Sequence, residues 1–448
     1  MKLKAKFTFL LAFIMLPFTA RLQEPWTLEK CIQYAIDNNL QVKQYELDVK
    51  SNEASLLGAK FDVAPNLSAN ANHAYNYGRV TNYNTNAKEK SNLMSTSFSF
   101  SSNMPLFNGF QVINTVKKKQ FDLKASVMDV EAIKNNITLT VVADYLQILF
   151  QQELVENALR QLKQSQLQVE RTKLLVDAGS LPEGNLYEVE ALEASDELTL
   201  VDAQNLLAMY TLNLTQLLEI KSPEGFSIVK PEISDSLKLD IPGEPQNIYG
   251  FAVESKPQIL AAQYRVSSSE LDLKIAKGEY FPQLTLFGSY GTGVQKYLKS
   301  SDVYTSTDPF FTQIKNNAEM SFGLSLSIPI FNRWSAHTAV TQAKISLENA
   351  KLSLETQKNN LYKDIQQAYV DALAAQKKQS ASIKSQQSAR ESFRYTENKF
   401  NLGLLTALDY TTSRNNLAKA DTDLLQAKYE FVFKVKILDF YLGNPIKL

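Results

Sequence analysis

Apolar and polar residues alternate in several short segments of the chain. The clearest is residues 321–329, where Phe322, Leu324, Leu326 and Ile328 face one way and small polar residues face the other. A period of two residues predicts β-strands, and about 9–11 residues is the length of a tilted strand that crosses a lipid bilayer. The alternation predicts four strands, at about residues 66–77, 95–105, 282–291 and 320–329. The segments between their ends, 78–94 and 291–318, are rich in Asn, Tyr, Gly and Lys and are predicted to be exposed loops.

Much longer segments have an apolar or small residue at every seventh position. One series is Val141, Ile148, Val155, Leu162, Val169 and Val176, and the other is Leu347, Leu354, Leu361, Ala368, Ala375, Ser382 and Ala389. A strict seven-residue period is that of coiled-coil packing, and a helix from Phe107 to Gly179 would be about 108 Å long. The chain breaks at 178–184 and 401–406 and then resumes the heptads. Each break is therefore predicted to be the tip of a helical hairpin.

The chain contains two copies of one unit. Pro65 and Pro282 precede similar strands, and the difference between their residue numbers is called the short offset between the copies. Pro105 and Pro329 follow strands, and the difference between their residue numbers is called the long offset. These four prolines mark the predicted junctions of strands and helices. The long offset exceeds the short one by seven positions, so seven extra residues must lie between the two strands of the second copy. The predicted repeats are 23–220 and 247–448, joined by a proline-rich linker at 221–246.

The N-terminal residues have the pattern of a secretory signal peptide. Lys2, Lys4 and Lys6 precede an apolar stretch from Phe7 to Phe18, and small residues follow at Thr19 and Ala20. We expect residues 1–22 to be a signal peptide rather than a buried helix, and the mature protein to be exported. Cys31 follows no small residues and lies in a helical pattern, which favours a packed thiol over a lipid anchor.

Composition argues against most enzymes and against nucleic-acid binding. One Cys and two His cannot form a four-ligand zinc site or a disulfide framework, and no phosphate-binding or metalloprotease motif is present. Equal numbers of basic and acidic residues, 47 of each, leave no excess charge for phosphates. We expect no cofactor, no metal and no nucleic-acid partner. Carboxylate pairs such as Glu188/Glu190 lie two positions apart, so the two side chains do not share a helix face. We therefore expect them to be solvated surface charges.

Four strands cannot satisfy their own edges in a membrane. A closed barrel needs about eight strands, and an open sheet edge cannot face lipid. Copies of the chain must therefore assemble. Two copies would supply eight strands and three would supply twelve, and the strand pattern is compatible with both.

The order of motifs resembles that of the outer-membrane factor (TolC-like) family of export ducts. The similar segments are the start at residues 26–35 (WTLEKCIQYA), the strand-to-helix turns at 104–110 (MPLFNGF) and 328–334 (IPIFNRW), and the glycines at both tips. The resemblance implies a mainly α fold with a transmembrane β part. It implies a homotrimer in which four strands per chain form one twelve-stranded barrel in the outer-membrane lipid, and in which the long coiled-coil-like helices form an α-barrel in the periplasm.

The same resemblance implies a non-enzymatic function. Family members conduct substrates passively from an inner-membrane pump and a periplasmic adaptor to the outside, in tripartite efflux or type I secretion systems. The alternative is a structural or adhesive surface protein that uses the barrel only as an anchor. Long, aromatic-rich loops would favour that alternative.

The resemblance also implies residues for a pore constriction. The family places acidic residues six and nine positions after the second tip glycine, where this chain has Asp409 and Thr412. Its closing ion pair corresponds to Leu405 and Asn185, so that latch is absent here. Glu188 is a candidate for a replacement acidic ring. Asp409 also follows Thr406 at the spacing of a capping box, which would be a local role.

Apolar residues at the two tips have two interpretations. They are either parts of helix caps with hydrophobic staples or, as the resemblance implies, a docking surface for the adaptor. The candidate docking residues are Gly179, Ser180, Leu181, Gly403, Leu404, Leu405 and Thr406.

Overall fold

The computed structural model describes residues 25–81, 86–231, 240–299 and 308–446. The predicted signal peptide and the middle of the predicted linker lie outside these ranges. Helices make up most of the described chain, as the heptads predicted. In chain order the elements are α1 (Leu28–Asn38), α2 (Leu40–Phe61), β1 (Ser68–Thr81), β2 (Lys88–Asn108), α3 (Gln111–Asp177), α4 (Glu183–Leu217), α5 (Pro245–Ser255), α6 (Pro257–Gly278), β3 (Gln283–Lys299), α7 (Phe310–Asn316), β4 (Glu319–Ser327), α8 (Ser335–Asn401) and α9 (Ala407–Tyr441).

Corresponding helices of the two halves have identical lengths. The helices α1 and α5 have 11 residues, α2 and α6 have 22, α3 and α8 have 67, and α4 and α9 have 35. The helices before the strands correspond at the short offset, and those after the strands correspond at the long offset. The extra seven residues of the second half therefore lie between α6 and α8. Each half is a pair of stacked shorter helices, a pair of strands and a long hairpin.

The four strands form one antiparallel sheet in the order β1-β2-β3-β4. They contain 14, 21, 17 and 9 residues, so the predicted length of about 9–11 residues is wrong for the first three. The predicted loops at 78–94 and 291–318 are correspondingly too long, because β1, β2 and β3 extend into them. Backbone hydrogen bonds between strands need no apolar side chain, so pairing continues beyond the point where the alternation fades.

The helix α7 lies within the second predicted loop and covers part of one strand edge. The strand β4 pairs with β3 only as far as Gly291. Beyond that point the backbone N–H of Gln295 donates to Oε1 of Gln313 at 3.0 Å, and Nδ2 of Asn317 donates to the carbonyl oxygen of Gly293 at 2.7 Å. Side chains at and after α7 thus replace the missing strand partner, which protects an edge that would otherwise be open.

The sheet has one apolar and one small polar face. Exposed apolar side chains on one face include Tyr75, Phe98, Tyr290, Met320, Phe322, Leu324 and Leu326. The other face carries mostly Ser, Asn and Gly, and the hydroxyls of Ser289 and Ser321 lie 2.7 Å apart on it. Phe322 is 80% exposed, which is unusual for an aromatic residue facing water. The apolar face is therefore suited to a non-aqueous environment.

The predicted junction prolines occupy different local positions. Pro65 precedes β1, Pro282 immediately precedes β3, and Pro329 follows β4. Pro105 lies inside β2 at a bulge, which is where a strand tolerates a residue without a backbone N–H. After the second strand of each half, two successive residues adopt left-handed conformations, at 109–110 and 333–334, and turn the chain into the long helix.

The main core lies midway along the long helices. Buried residues of α1, α3, α4 and α9 pack around Tyr145 of α3. The Tyr145 hydroxyl donates to the carbonyl oxygens of Val229, at 2.6 Å, and Trp26, at 3.1 Å. Trp26 also pairs with Ile228 in a short parallel bridge. One buried tyrosine therefore ties the start of the described chain and the linker to the middle of the first hairpin.

The heptad pattern is realised somewhat differently in the two long helices. In α8 the predicted positions Leu361, Ala368 and Ala375 are buried. In α3 the predicted series is buried at Val141 and Ile148, but toward the tip the most buried positions are Ala158, Ser165 and Thr172. These three residues also lie seven apart. Small side chains let neighbouring helices approach closely, so burial follows size rather than hydropathy there.

Candidate functional site at the hairpin tips

Both hairpin tips are built by the same helix-ending motif. Gly179 and Gly403 have φ angles of +71° and +72°, which side chains with a Cβ rarely adopt. The N–H of Ser180 donates to the Leu175 carbonyl oxygen, and that of Leu404 donates to the Lys399 carbonyl oxygen, both at 2.8–2.9 Å. This pattern satisfies the last carbonyl groups of α3 and α8. The two glycines are therefore required by local geometry.

Leu404 and Leu408 at the second tip are not needed for that geometry. Leu404 is 69% exposed and Leu408 is 74% exposed. The staple positions of this cap are Leu405, which precedes the N-cap Thr406, and Tyr410. Leu181 and Leu405 are half-buried, while Ser180 and Thr406 are exposed. The second tip thus presents an apolar surface to solvent that the helix cap does not explain.

Asp409 takes part in a capping box at the start of α9. Its N–H donates to Oγ1 of Thr406 at 3.2 Å, and its Oδ2 accepts from the Thr406 hydroxyl at 2.7 Å and from the Thr406 N–H at 3.2 Å. Two hydrogen bonds hold the pKa of the Asp409 carboxyl below its usual range. The larger effect comes from the Thr406 hydroxyl and the smaller one from the Thr406 N–H. The local role predicted from the sequence is therefore present, and it keeps this exposed carboxylate charged.

The candidate constriction residues occupy corresponding helix turns. Glu188 and Thr412 are the sixth residues of α4 and α9 and are equivalent at the long offset, as are Asn185 and Asp409. Residues three apart share a helix face. At these two positions each hairpin therefore carries one carboxylate and one neutral polar residue, in opposite order. Glu188, Asp409 and Thr412 are all exposed, and the structure does not bring their side chains together within one chain.

A buried ion pair joins the two hairpins close to the tips. Arg414 of α9 donates through Nη2 to both carboxylate oxygens of Asp196 of α4, with Nη2 and Oδ2 2.5 Å apart. The two side chains are only 5% and 8% exposed. At the tips themselves, Nη1 of Arg171 donates to Oδ1 of Asn401 at 2.8 Å, which links the ends of α3 and α8.

This ion pair was not predicted from the sequence, although the sequence contains a signal for it. Asp196 lies seven residues after Val189 and seven before Ala203, and all three are buried on one face of α4. A charged residue in an apolar heptad series needs a partner of opposite charge. The predicted latch positions, Leu405 and Asn185, carry no charge. The buried pair of Asp196 and Arg414 lies deeper in the hairpins than those positions.

Other chemistry is sparse in the described part of the chain. No group of three or more His, Cys, Asp or Glu residues within the described ranges could hold a metal ion. Among the helices described, none is both long and apolar enough to cross a membrane. Burial raises the pKa of the Cys31 thiol to about 12, so this thiol is not a reactive nucleophile.

Comparison with known proteins assigns the chain to a family. A family model described as "Outer membrane efflux protein" matches residues 31–218 and 248–444, which together are most of the chain. The chain belongs to the outer membrane efflux protein family. The two matched segments coincide closely with the two repeats. Its family is one of efflux channels rather than enzymes, and its location is the outer membrane.

Curated relatives and a solved structure are similar over most of their lengths. The chain is 22% identical over 412 residues to the outer membrane efflux protein BepC of Brucella suis, covering 91% of this chain and 83% of BepC. It is 23% identical over 337 residues to the toxin and drug export protein A of Aggregatibacter actinomycetemcomitans, covering 72% and 67%. The CmeC outer membrane channel of Campylobacter jejuni shares the fold, with a TM-score of 0.77 and 17% identity, covering 93% and 85%.

Proposed function

We propose that this efflux protein is the passive exit duct of a tripartite efflux or type I secretion system. The observation that carries the proposal is the construction of the chain, in which one sheet with an apolar face leads directly into two long hairpins of equal length. Such a chain has one part suited to lipid and another suited to water. A hollow ring of such chains would connect the two environments.

Three copies would give a closed barrel of twelve strands. The strands β1 and β4 are the outer strands of the four-stranded sheet, and a lipid-exposed sheet cannot leave its edges unpaired. The small polar face, with Ser289 and Ser321, would line the lumen, and the apolar face with Phe322 would meet lipid. Most described positions of the polar face carry Ser, Asn or Gly, which favours an open, weakly selective barrel.

The helices would form the periplasmic part of the duct. A helix of 67 residues is about 100 Å long, which is far more than a compact domain requires. In a ring of three chains, six hairpin tips would meet at the end away from the membrane. Glu188 and Asp409 would then form two rings of three carboxylates on successive turns, with Thr412 beside Glu188. Like charges held near a narrow opening produce a negative potential that attracts cations.

The tips would dock a periplasmic adaptor that connects the duct to an inner-membrane pump. The exposed Leu404 and Leu408 support this role because the helix cap does not use them. One relative is named as an export protein for toxins and drugs, so we include toxins and drugs among the candidate substrates. The selectivity is expected to lie in the pump.

Two measurements test the function. The purified protein in a planar lipid bilayer should produce discrete conductance steps, and its gene should restore export to a strain that lacks the gene. A protein that restores neither export nor resistance, and that never conducts, would contradict the duct. If the strain that lacks the gene loses surface adhesion but still exports normally, the protein would instead be a surface anchor.

A further inference from the structure

Three basic residues lie at the end of the sheet that is distant from the helices. Arg79 is near the end of β1, Lys88 begins β2, and Lys296 is near the end of β3. All three are exposed, and none forms an ion pair with a carboxylate of the described residues. These three residues are called the outer basic row. Their charges are available to an anion from outside the chain.

The outer basic row lies on the apolar face of the sheet. On β1, Arg79 follows Tyr75 by four positions, and alternate residues of a strand share a face. Met94 of β2 pairs with Tyr75 and also with Lys296 of β3, so Lys296 is on that face as well. Lys88 is six positions before Met94, and β2 pairs with β1 without a break between them. The row thus borders the surface proposed to meet lipid rather than the surface proposed to line the lumen.

The charges on the apolar face have one sign and lie at one end. No Asp or Glu occupies a described strand position on this face, and Glu319 of β4 lies on the polar face opposite Gly291. At the end nearest the helices, the strand residues carry no charge, over 68–71, 101–108, 283–287 and 324–327. A ring of chains would therefore place basic groups along only one border of its lipid-facing strands.

The spacing along β3 places Lys296 at the level of a membrane surface. Leu286 and Lys296 share the apolar face and are ten positions apart, which is about 34 Å along a strand. At the tilt of about 40° usual in transmembrane barrels, this is a height of roughly 26 Å, close to that of the apolar band of such barrels. Arg79 and Lys88 lie further out than the level of Lys296 in the strand register. Lys296 can extend its long stem to the headgroups, and the other two lie among them.

Exposed aromatic residues support this position of the membrane surface. Tyr75 and Tyr77 are exposed and come directly before Arg79 on the same face. At the opposite end of the sheet, Phe331 and Trp334 are exposed just after β4. Aromatic residues of membrane proteins concentrate at the two interfaces between lipid and water. The outer basic row therefore lies at the headgroups of the leaflet that is distant from the helices.

We propose that the outer basic row binds lipids that carry phosphate monoester groups, in the leaflet distant from the helices. The inference rests on the duct proposed above and adds the class of lipid that surrounds its barrel. A phosphate monoester has up to about two negative charges and three acceptor oxygens, and Arg can bind it through two parallel N–H groups. Arg79 and Lys88 are diagonal neighbours on paired strands, with Cα atoms about 7–8 Å apart, so one phosphate can contact both. A zwitterionic headgroup is a weaker partner because its own cation neutralises its phosphate.

Retention of lipid tests the binding. The native protein is reconstituted in phosphatidylcholine vesicles that contain a small fraction of a bisphosphorylated lipid with a fluorescent acyl chain. It is then purified again in mild detergent and assayed for bound lipid. The combined variant Arg79→Gln, Lys88→Gln and Lys296→Gln should retain at least about tenfold less of this lipid, because each basic residue beside an anionic membrane surface raises affinity roughly fivefold. Equal retention by the native protein and this variant would overturn the proposal.

Two matched variants separate the row from net charge and from folding. Removing three exposed charges from the long helices, with Lys163→Gln, Lys363→Gln and Lys384→Gln, should leave retention unchanged. Keeping the charges of the row, with Arg79→Lys, Lys88→Arg and Lys296→Arg, should preserve most of the retention. If the helix variant loses as much lipid as the neutralised row, the effect is one of net charge and the proposal is wrong.

Competition identifies the source of the phosphate. Inorganic phosphate should not displace the bound lipid, because acyl chains supply apolar contacts that the free anion lacks. Complete displacement would make the row a site for a free anion and would exclude the lipid as its specific partner. Equal retention of a fluorescent zwitterionic phospholipid would also contradict the proposal, because charge would then select nothing.

A photoreactive residue tests the leaflet. A benzophenone amino acid in place of Tyr77 should crosslink to the bisphosphorylated lipid in excess of its share in the vesicle. The same amino acid in place of Trp334, at the other end of the sheet, should crosslink to the two lipids in proportion to their amounts. The same excess at both positions would show that the lipid is not confined to the proposed leaflet.

Conductance separates failure of this inference from failure of the duct. The neutralised row should conduct like the native protein in a phosphatidylcholine bilayer, because the row lies outside the proposed lumen. If the native protein conducts but retains the bisphosphorylated lipid no better than phosphatidylcholine, the lipid inference is wrong and the duct stands. If the native protein neither inserts nor conducts in a bilayer with or without this lipid, the proposed function itself fails.

Discussion

Asn39 and Lys256 occupy equivalent positions in the two repeats, and each side chain donates a hydrogen bond to a carbonyl group in the last turn of a long helix. Asn39 lies between α1 and α2, and its Nδ2 donates to the Leu217 carbonyl oxygen at 3.2 Å. Lys256 lies between α5 and α6, and its Nζ donates to the Phe440 carbonyl oxygen at 2.6 Å. Each side chain therefore caps the C-terminal end of the helix that closes its own repeat.

Lys256 should make stability depend on pH in a way that Asn39 cannot. Burial lowers the pKa of Lys256 from 10.5 to about 8. Between pH 8 and pH 10.5, Lys256 is protonated more often in the unfolded chain than in the folded chain. The free energy of unfolding should therefore rise with pH in this range. The unfolding midpoint of the native protein relative to Lys256→Met should therefore increase from pH 8 to pH 10.5, by an amount corresponding to at most roughly 3 kcal/mol.

Asn39→Met is the matched control, since it removes the equivalent cap without removing a titratable group. Its midpoint relative to the native protein should stay constant over the same pH range in far-UV circular dichroism. A constant difference for Lys256→Met as well would show that Lys256 does not change its charge in this window.

The ion pair between Asp196 and Arg414 should be sensitive to loss of one partner. Asp196→Asn leaves a buried guanidinium without its counter-charge, which typically costs about 3–5 kcal/mol. We expect faster hydrogen exchange in α4 and α9 and earlier proteolysis at the tips. Replacing both residues, with Asp196→Leu and Arg414→Met, should restore most of the protection, because well-packed apolar residues can replace a buried pair. An unaffected single variant would contradict this account.

Asp409 should control ion selectivity if it lies at the constriction. The duct in a planar bilayer should prefer cations and be blocked by a trivalent cation from the side of the helices, and Asp409→Asn should weaken both effects. Thr406→Val is the control, because it disrupts the capping box but keeps the carboxylate. Reversal potentials that do not change in Asp409→Asn would restrict Asp409 to its local role. Since hydrogen bonds lower its pKa, the selectivity should persist as the pH falls to 3.8, the usual Asp value.

Leu404 tests the docking surface. Leu404→Asp should abolish export in cells while conductance and assembly remain normal, because a charge would disrupt an apolar contact with the adaptor. Leu404→Met keeps an apolar side chain and should export normally. If Leu404→Asp lowers the yield of assembled protein instead, the leucine is needed for the tip fold.

Gln313 tests the edge protection by α7. Gln313→Leu removes the acceptor for the Gln295 N–H, and one lost hydrogen bond of about 1 kcal/mol should accelerate exchange of that amide several-fold. Ser289, whose strand is paired on both sides, supplies the reference amide and should exchange at an unchanged rate. Unaltered exchange at Gln295 would mean that another group protects this edge.

The repeat made the helices predictable and left the strand ends uncertain. The long offset relates Gly179 to Gly403 and located both tips, because a left-handed position almost requires glycine. The strand ends at Thr81 and Lys299 depend on which backbone has a partner, and side-chain alternation does not encode that. Protection of the β3 edge depends on the hydrogen bond that Gln313 accepts from the Gln295 N–H. The sequence around Gln313 does not show that this strand lies beside it.

The candidate site was predictable only where a local rule applied. The capping box of Thr406 and Asp409 follows from a spacing of three residues within one helix. The pair of Asp196 and Arg414 joins residues 218 positions apart, so no local spacing could reveal it. The available signal was the position of the acidic residue Asp196 in the apolar heptad series of Val189 and Ala203.

The equal lengths of the paired helices restrict how this chain can change. Removing one turn from α8 alone would place its tip at a different level from the tip of the other hairpin. It would also rotate the buried heptad positions of α8, its buried seam, away from the helices that they pack against. A change of seven residues made in all four hairpin helices would preserve both the level of the tips and the seam. The chain should therefore tolerate length variation as whole heptads in both halves together, which would keep all tips of the proposed duct at one level, as a flat rim.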